Sequence, residues 1–456
     1  MAQQENKDKA SVEAIYQQLF RNYREVLRLN ASAALDGRRE AAFETFCRQG
    51  FPAFGSGTSE AYRHLDLSEA LSVDYGMNLY RMGIPAHPGD VFRCDVPSLS
   101  TRLYFIVNDQ YYPSKKPVTL PEGVLCGSLN TLLGEHPELG AKYYDRLRDD
   151  DGLAALNTAF VQDGFLLYVP AGVKLDKPLQ LIQMFQGEID ILANRRLLVV
   201  LEAGASATLM VCDHAITSSR YLSNQVAEIH LGEGASLDYC ELEMTHDKTV
   251  RLANTYVRQA AGSSLRMNAI GLENGLTRNN LTVSLCGRDA RADLSGLNLL
   301  SRSQVADNHI LVDHSVPGCH SNQLYKYILD DRAHGVFGGK VLVRPDAQQT
   351  ESYQSNANLV TSDQARMNAL PQLEIYADDV QCSHGSATGQ LDANALFYMR
   401  QRGLDEDEAR QLLKFAFTAD VVERIAFPPL KDRIKMLVGK RFRGELAKCI
   451  DCKICP

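Results

Sequence analysis

The chain has 456 residues, a formal net charge of −8, and 45% hydrophobic and 23% charged residues. This length allows two or three domains, or one elongated repeat body with appended ends. The mildly acidic balance, without a basic stripe, argues against a nucleic-acid partner. No apolar run approaches the ~20 residues that cross a bilayer, and the polar N-terminus lacks the apolar core of a secretory signal. We therefore expect a cytoplasmic protein with no membrane partner.

The N-terminal region is predicted to be helical with some strands. From Val12 to Leu27 apolar residues recur at the i, i+3, i+4, i+7 spacing of one helix face. A second helical stretch, AALDGRREAAFETFCRQG, follows. Further on, short strands such as YFIVNDQYYPS alternate with helical segments such as HPELGAKYYDRLRDD. We assign residues 1–160 to an N-terminal helical or α+β domain.

From about Gly164 the pattern changes to short apolar runs separated by small-residue turns, as in LLVVLEAGASATLMVC and AEIHLGEGASLDYCELE. Alternation of period two predicts strands, and glycine at a turn supplies positive φ. A repeat of roughly 30 residues is too short for a propeller blade and fits one turn of a parallel β-helix. We therefore predict a mainly β fold with a parallel β-helix core over residues 161–395. An antiparallel sandwich is the alternative. The turn markers are Gly172, Gly204, Gly234, Gly262, Asp289, Gly318 and Asp346.

Residues 396–448 return to a helical pattern, which predicts a C-terminal helical domain. Asp405 is placed to cap a helix, and Glu408, three residues later, completes a capping box. Pro428 and Pro429 are expected to stop this helix. A second short helix, LKDRIKMLV, is expected to end at Gly439.

The first of these two helices carries more apolar side chains than one stripe requires. Phe415, Phe417 and Val421 widen its apolar surface, and we expect them to bind a partner. The alternative is that the helical pair caps an open end of the β-helix.

The chain lacks the signatures of common catalytic sites. The sequence contains no Gly-x-x-x-x-Gly-Lys-Ser/Thr loop, no Gly-x-Gly-x-x-Gly fingerprint and no Gly-x-Ser-x-Gly elbow. A β-helical polysaccharide enzyme would need a groove of paired acids or bases, and no such constellation is evident. We therefore expect a protein that is not an enzyme.

One polar stretch, PQLEIYADDVQCSHGSATGQLD, carries a candidate metal site. It places Cys382 and His384 two residues apart, so that in a strand both side chains point to the same face. A thiolate and an imidazole together can bind iron or zinc. Because two ligands do not complete a site, further ligands would come from elsewhere or from another subunit.

The remaining cysteines are scattered, except for three at the C-terminus. Cys449, Cys452 and Cys455 in CIDCKICP have the spacing of part of a ferredoxin-type run, which uses a fourth cysteine. This Cys-rich tail, residues 449–456, is either a second candidate metal site or a tail with unspecialised thiols. The scattered cysteines are expected to be free thiols in a reducing compartment, and include Cys47, Cys94, Cys126, Cys212, Cys240 and Cys286.

The stretch around Cys382, with LFYMRQRGLDEDEARQLL after it and CHSNQLYKYILDDRAHGVFGGKVLVRPDAQQTESYQSNANLV before it, resembles the SufB/SufD family of iron–sulfur cluster assembly proteins. The resemblance implies a right-handed parallel β-helix flanked by N-terminal and C-terminal helical domains. It also implies pairing with a SufB-like subunit through the β-helices and docking of a SufC-like ATPase on the C-terminal helices. An iron–sulfur cluster or iron would be held transiently at the subunit interface.

Within this family the sequence is more similar to the SufD-like branch. SufB-like chains carry glutamate directly after the histidine of this segment, whereas here His384 is followed by Gly385. The resemblance thus implies a SufD-like scaffold, with His384 facing the SufB-like partner and Cys382 beside it. The alternatives are a SufB-like subunit that itself holds the cluster and, from another class, a polysaccharide-active enzyme. The isolated chain is expected to be able to form a homodimer.

Overall fold

The computed structural model describes residues 12–52, 62–84, 87–91, 101–115 and 118–445. Helices occupy both ends of the described part, and strands fill its middle. No helix of the described residues has the length and apolar character needed to span a membrane. The helices are α1 (Val12–Leu29), α2 (Ala33–Gln49), α3 (Ser68–Leu71), α4 (Pro88–Val91), α5 (Leu129–Glu135), α6 (Pro137–Tyr143), α7 (Gly152–Phe160), α8 (Ala393–Gln401), α9 (Glu406–Glu423) and α10 (Pro428–Phe442).

The strands alternate along the chain between two large sheets. They are β1 (Arg102–Val107), β2 (Gln110–Tyr112), β3 (Leu125–Ser128), β4 (Phe165–Val169), β5 (Leu179–Phe185), β6 (Ile191–Leu201), β7 (Ser206–Ala215), β8 (Tyr221–Leu231), β9 (Ser236–Met244), β10 (Thr249–Gln259), β11 (Ser264–Glu273), β12 (Leu276–Leu285), β13 (Arg291–Leu300), β14 (Val305–His314), β15 (His320–Leu329), β16 (His334–Val343), β17 (Thr350–Val360), β18 (Arg366–Ile375) and β19 (Val380–Gly389).

The two sheets form a parallel β-solenoid. The odd strands other than β3, together with β2, build a ten-stranded sheet in the order β19-β17-β15-β13-β11-β9-β7-β5-β1-β2. The even strands other than β2, together with β3, build a nine-stranded sheet. Neighbouring strands from β4 to β19 pair in parallel, as in β10 with β12 and β15 with β17. This arrangement confirms the predicted parallel β-helix and excludes the antiparallel sandwich.

Tight turns with positive φ connect the strands of successive coils. Gly172, Gly204 and Gly234 have φ values of 75°, 66° and 63°, a backbone region that glycine enters without steric cost. The prediction of Asp346 as the last marker is wrong, because the positive φ of that turn belongs to Gln349. The turn RPDAQQ before β17 is one residue longer than SVPGC before β15, which moves the left-handed position along the chain.

Side chains that point between the sheets form the main core. The alternation of inward and outward positions places Leu209, Val211, Tyr239 and Leu265 in one continuous apolar cluster between the sheets. The outward faces are also covered. Helices α1, α2 and α7 pack on the nine-stranded sheet through Phe20, Phe46 and Phe160, against residues such as Leu222 and Leu252.

The C-terminal helices cover the outer face of the ten-stranded sheet. Ile434 and Val438 of α10 belong to a cluster that includes Leu297 and Ile328 of the sheet. Lys326 of β15 binds Asp420 of α9, with 2.6 Å between Nζ and Oδ2. We call α9 and α10, residues 406–442, the C-terminal arm.

Helix boundaries in this arm agree only partly with the sequence prediction. Asp405 caps α9 as predicted and accepts a hydrogen bond from the backbone N–H of Glu408 at 2.8 Å. The prediction for Pro428 and Pro429 is wrong, since α9 ends at Glu423 and the prolines begin α10. Proline suits the first helical position because the N–H that it lacks would have no partner there. Gly439 does not end α10, which continues to Phe442.

The two ends of the solenoid differ. At the first end, β2 and β3 pair antiparallel to β1 and β4 and are only three and four residues long. At the other end, β18 and β19 are each ten residues long and are the last strands of their sheets within the described residues. Short edge strands limit unwanted pairing, whereas long edge strands offer a template for another chain.

Candidate functional site at the open end of the solenoid

Cys382 and His384 lie on β19, the last strand of the ten-stranded sheet. Their register with β17 places Cys382 opposite Ser352 and His384 opposite Gln354. Ser352 and Gln354 are buried between the sheets, so both candidate ligands point to the same, inward side of the final coil. His384 is nevertheless exposed, because no further coil covers it within the described residues.

A column of polar side chains leads from the interior to this final coil. Asn358 of β17 donates a hydrogen bond through Nδ2 to Oγ1 of Thr388 at 3.0 Å, and Ser386 donates to Oδ1 of Asn356 at 3.1 Å. The coil below continues the pattern, since Gln354 donates to Oε1 of Gln323 at 3.2 Å. Buried polar groups need such partners, and the ladder therefore fixes these side chains.

One acceptor in this column has no partner. Oε1 of Gln354 is buried and makes no hydrogen bond within the described residues. The residue in register with Gln354 on the last strand is His384. The register places two groups of the required donor type beside Gln354: a ring N–H of His384 and the amide Nε2 of Gln323, which also has no partner among the described residues. A bond from His384 would fix the tautomer of its ring.

The opposite wall of the opening is apolar. The pairing of β18 with β16 places Ala369, Pro371 and Leu373 beside Phe337, Gly339 and Val341, respectively. Phe337 and Val341 are buried between the sheets, so the β18 residues continue the inward-facing apolar column. The opening therefore has a polar wall on β19 and an apolar wall on β18.

Cys382 is less accessible than His384. It packs against the cluster formed by Val341, Val343, Ala347 and Ala377. Burial raises the pKa of the Cys382 thiol, because the thiolate loses solvation. A hydrogen bond with the backbone of Ser352 lowers the pKa but offsets this rise only in part. In the isolated chain the thiol is thus the favoured form, and a metal or a cationic partner would have to displace its proton.

The described residues do not complete a metal site on their own. No group of three or more His, Cys, Asp or Glu side chains is suitably placed for a metal ion in this part of the chain. Cys449, Cys452 and Cys455 lie outside the described residues. None of the seven cysteines within the described residues forms a disulfide: Cys47, Cys126, Cys212, Cys240, Cys286, Cys319 and Cys382.

The residues predicted to bind a partner on α9 have different surroundings. Val421 is 0% exposed and packs on the ten-stranded sheet, so it attaches the arm and is not accessible to a partner. Phe417 is partly buried in the same cluster, and Nζ of Lys326 lies 4.6 Å from its ring centroid. Phe415 is 36% exposed and Leu412 45% exposed. The accessible apolar surface of α9 is therefore on the side of Leu412 and Phe415.

An ionic cluster between the sheets was not predicted from the sequence. Arg195 pairs with Asp213 at 2.7 Å, and Arg251 pairs with Asp213 and with Glu241 at 3.0 Å each. The Thr277 hydroxyl donates to the carboxylate of Glu243, and burial raises the pKa of Glu243 to about 7. Charged residues at inward-facing strand positions would have indicated this cluster. Which positions face inward is known only once the register of the strands is known.

The fold thus defines a class of protein: a parallel β-solenoid with helices on both outer faces and one open, partly polar end. Comparisons with known proteins agree. Residues 184–417 match the family described as "SUF system FeS cluster assembly, SufBD core domain". Residues 10–181 match the SufBD protein N-terminal region.

Individual relatives extend over much of the chain. A SufBD-family iron–sulfur cluster assembly protein of Synechocystis is 32% identical over 395 residues, covering 84% of this chain and 86% of the relative. Escherichia coli SufD is 28% identical over 293 residues, 63% of this chain and 69% of the relative. Bacillus subtilis SufD is 26% identical over 331 residues, 71% and 75% respectively. The chain belongs to the SufB/SufD family of the SUF system for iron–sulfur cluster assembly.

Proposed function

We propose that this chain is a SufD-like scaffold subunit without a catalytic cycle of its own. It pairs with a SufB-like subunit through the open end of its solenoid, and an iron–sulfur cluster or iron, as cargo, is held for a time at the seam. The observation that carries this proposal is the contrast between the two ends. Three- and four-residue strands close one end, whereas ten-residue strands are left as edges at the other.

Edge pairing supplies both affinity and specificity in such an interface. Backbone groups of an edge strand bind an incoming strand, and the side chains select it. Ile375 is 39% exposed and Tyr376 is 63% exposed at the end of β18, where an interface would bury them. Aromatic residues in this position are common anchors of protein–protein interfaces.

The inward side of β19 supplies this chain's part of the metal site. His384 offers an imidazole nitrogen at the opening, and its other nitrogen can donate to the unpartnered Oε1 of Gln354. Cys382, deeper in the opening, is a second ligand once its proton is lost. Because a thiolate and an imidazole leave two or more positions open, the partner must supply the remaining ligands.

The C-terminal arm is proposed to dock a SufC-like ATPase. The chain has no nucleotide-binding loop, so hydrolysis must come from a partner. Leu412 and Phe415 of α9 present the accessible apolar surface, while Phe417 and Val421 hold the helix on the sheet. Movements of the ATPase would then reach the solenoid through the arm.

The SufD-like assignment, in preference to a SufB-like one, depends on Gly385. A glutamate at this position would add a carboxylate beside His384, as the glutamate of SufB-like chains does. Without it, this chain contributes fewer ligands than its partner. A stable cluster on the isolated chain, bound by residues of the solenoid, would instead favour the SufB-like role.

The proposal is tested by disrupting the edge. The full chain carrying Ile375→Asp and Tyr376→Asp is co-expressed with SufB-like and SufC-like partners and examined by native mass spectrometry. Desolvating two carboxylates in an apolar interface should abolish pairing with the SufB-like subunit and leave the ATPase bound. Tyr80→Asp, at a 70% exposed aromatic of the N-terminal region, is the matched control. Normal pairing by the double variant would refute the proposed interface.

A further inference from the structure

A recess lies on the outer side of the nine-stranded sheet, apart from the ligands on β19. It is bounded by Arg63 and His64 of the N-terminal region and by the coils that begin β16 and β18. Its volume is about 1050 Å³. A cavity of this size accommodates a small organic molecule rather than only an inorganic ion.

Positive charge is concentrated in this recess although the whole chain is acidic. Arg63, Arg332 and Arg366 line it, and Asp363 is the one carboxylate among the described residues that do so. Among the described residues, none of these three guanidinium groups forms an ion pair; Arg332 has only a 3.4 Å contact with Ser303. By contrast, Arg195 and Arg251 of the solenoid interior are fully paired with carboxylates.

Three separate segments bring these arginines together. Arg63 follows the second helix of the N-terminal region, Arg332 lies in the turn before β16, and Arg366 begins β18. His334 is in register with Arg366, and its Nε2 lies 2.8 Å from Oδ1 of Asn368. Like charges repel, so an arrangement of three guanidinium groups with one carboxylate, Asp363, and no ion pair among them favours a bound anion.

We propose that this recess binds a phosphorylated small molecule of the size of a nucleoside diphosphate. Guanidinium groups bind phosphate oxygens in a bidentate manner, and three of them can neutralise a di- or trianion. Half-buried Met367 offers an apolar contact for the remainder of the ligand. The three arginines are exposed, so such a ligand can reach them without a rearrangement of the chain. The inference is independent of the role proposed for His384.

The test measures binding of ADP, pyrophosphate and inorganic phosphate to the full chain by isothermal titration calorimetry. We expect saturable binding that weakens as salt is raised. Arg332→Gln combined with Arg366→Gln should weaken it at least about tenfold, since two charge-assisted hydrogen bonds are lost. The control is Arg291→Gln, an exposed arginine that begins β13 of the other sheet.

The outcomes separate the possible ligands. Tighter binding of ADP than of pyrophosphate supports a nucleotide-like ligand, and equal binding supports recognition of the phosphates alone. Lack of saturable binding for all three probes overturns the proposal. Equal weakening by the Arg291→Gln control also overturns it, because binding would then follow overall charge. An unchanged melting temperature shows that the double variant is folded.

Discussion

At the scale of single residues, His384 and Cys382 owe their position to the pairing of β19 with β17. Each sits in register with a buried polar residue of the coil below, His384 with Gln354 and Cys382 with Ser352. The same stacking that orders a solenoid core therefore orders two ligand side chains at its end. Exposure differs between them because Cys382 packs against Val343 and Ala347.

Glu243 provides a prediction on pH dependence. Burial raises its pKa in the folded chain to about 7, above the value of about 4.3 in an unfolded chain. A carboxyl group whose pKa is higher in the folded chain does not lower stability at a pH below its unfolded pKa. It lowers stability by the full amount at a pH above its folded pKa. The protein should therefore lose stability through this residue between about pH 4 and pH 7.

Glu243→Gln should remove that loss. We expect the free energy of unfolding of the variant to match the wild type near pH 4 and to exceed it by up to about 3 kcal/mol at pH 8. Urea denaturation across this pH range measures the difference. The control is Glu233→Gln, at an exposed turn position. A variant that is less stable than the wild type at pH 8 would show that Glu243 is held mainly by its ionic neighbours.

At the scale of secondary-structure elements, the C-terminal arm combines an attaching face and an accessible face. Ile434 is fully buried against the ten-stranded sheet, whereas Met436, two residues further on, is exposed. Ile434→Ala should cost about 2–5 kcal/mol through the cavity it leaves. Hydrogen exchange should then accelerate in α9 and α10 but not in β10 and β12. Met436→Ala is the control, and faster exchange throughout the solenoid would contradict a separable arm.

The accessible face of α9 is tested with Phe415. Phe415→Asp places a charge in the proposed ATPase interface and should weaken binding of the SufC-like ATPase at least about tenfold. Because Phe415 is partly exposed, the melting temperature should change little. Surface plasmon resonance with the immobilised ATPase measures the affinity, and Tyr80→Asp serves as the control. Unchanged affinity for Phe415→Asp would exclude this surface as the docking site.

Elements defined by local signals could be predicted from the sequence, and elements defined by distant contacts could not. The Asp405 cap and the glycine turns at Gly204 and Gly234 are local, and the structure confirms them. Pro428 is also a local signal, but proline both ends helices and begins them, and the tertiary packing of Leu430 and Ile434 selects the second outcome.

The candidate site was predictable only in part. Cys382 and His384 could be predicted as a pair because residues two apart on a strand point to the same face, whatever the fold. The unpartnered Gln354 and the apolar wall of β18 depend on the register of three coils, about 30 residues apart in sequence. The accessibility of Val421 could not be deduced, because its burial requires the docking of α9 on the sheet.

Across the whole molecule, the two ends of the solenoid differ: short antiparallel strands close one end, and ten-residue edge strands at the other end are suited to pairing. The N-terminal helices cover the nine-stranded sheet and the C-terminal arm covers the ten-stranded sheet. Both outer faces are thus occupied over much of their length, which leaves the last coil as an extended unpaired edge among the described residues. The proposed assembly through this edge would join two solenoids end to end and would place the inward side of β19 at their junction.

We propose that this junction holds a nascent cluster with His384 as a ligand. The most direct test is the iron and sulfide content of the complex with SufB-like and SufC-like partners, purified anaerobically from cells. His384→Ala should leave subunit ratios unchanged, because an exposed imidazole contributes about 0.5 kcal/mol or less to stability. It should nevertheless remove most of the iron and sulfide. Ser383→Ala, on the opposite face of β19, should retain both. Wild-type iron and sulfide content in the His384→Ala complex would show that His384 is not a ligand of the cluster.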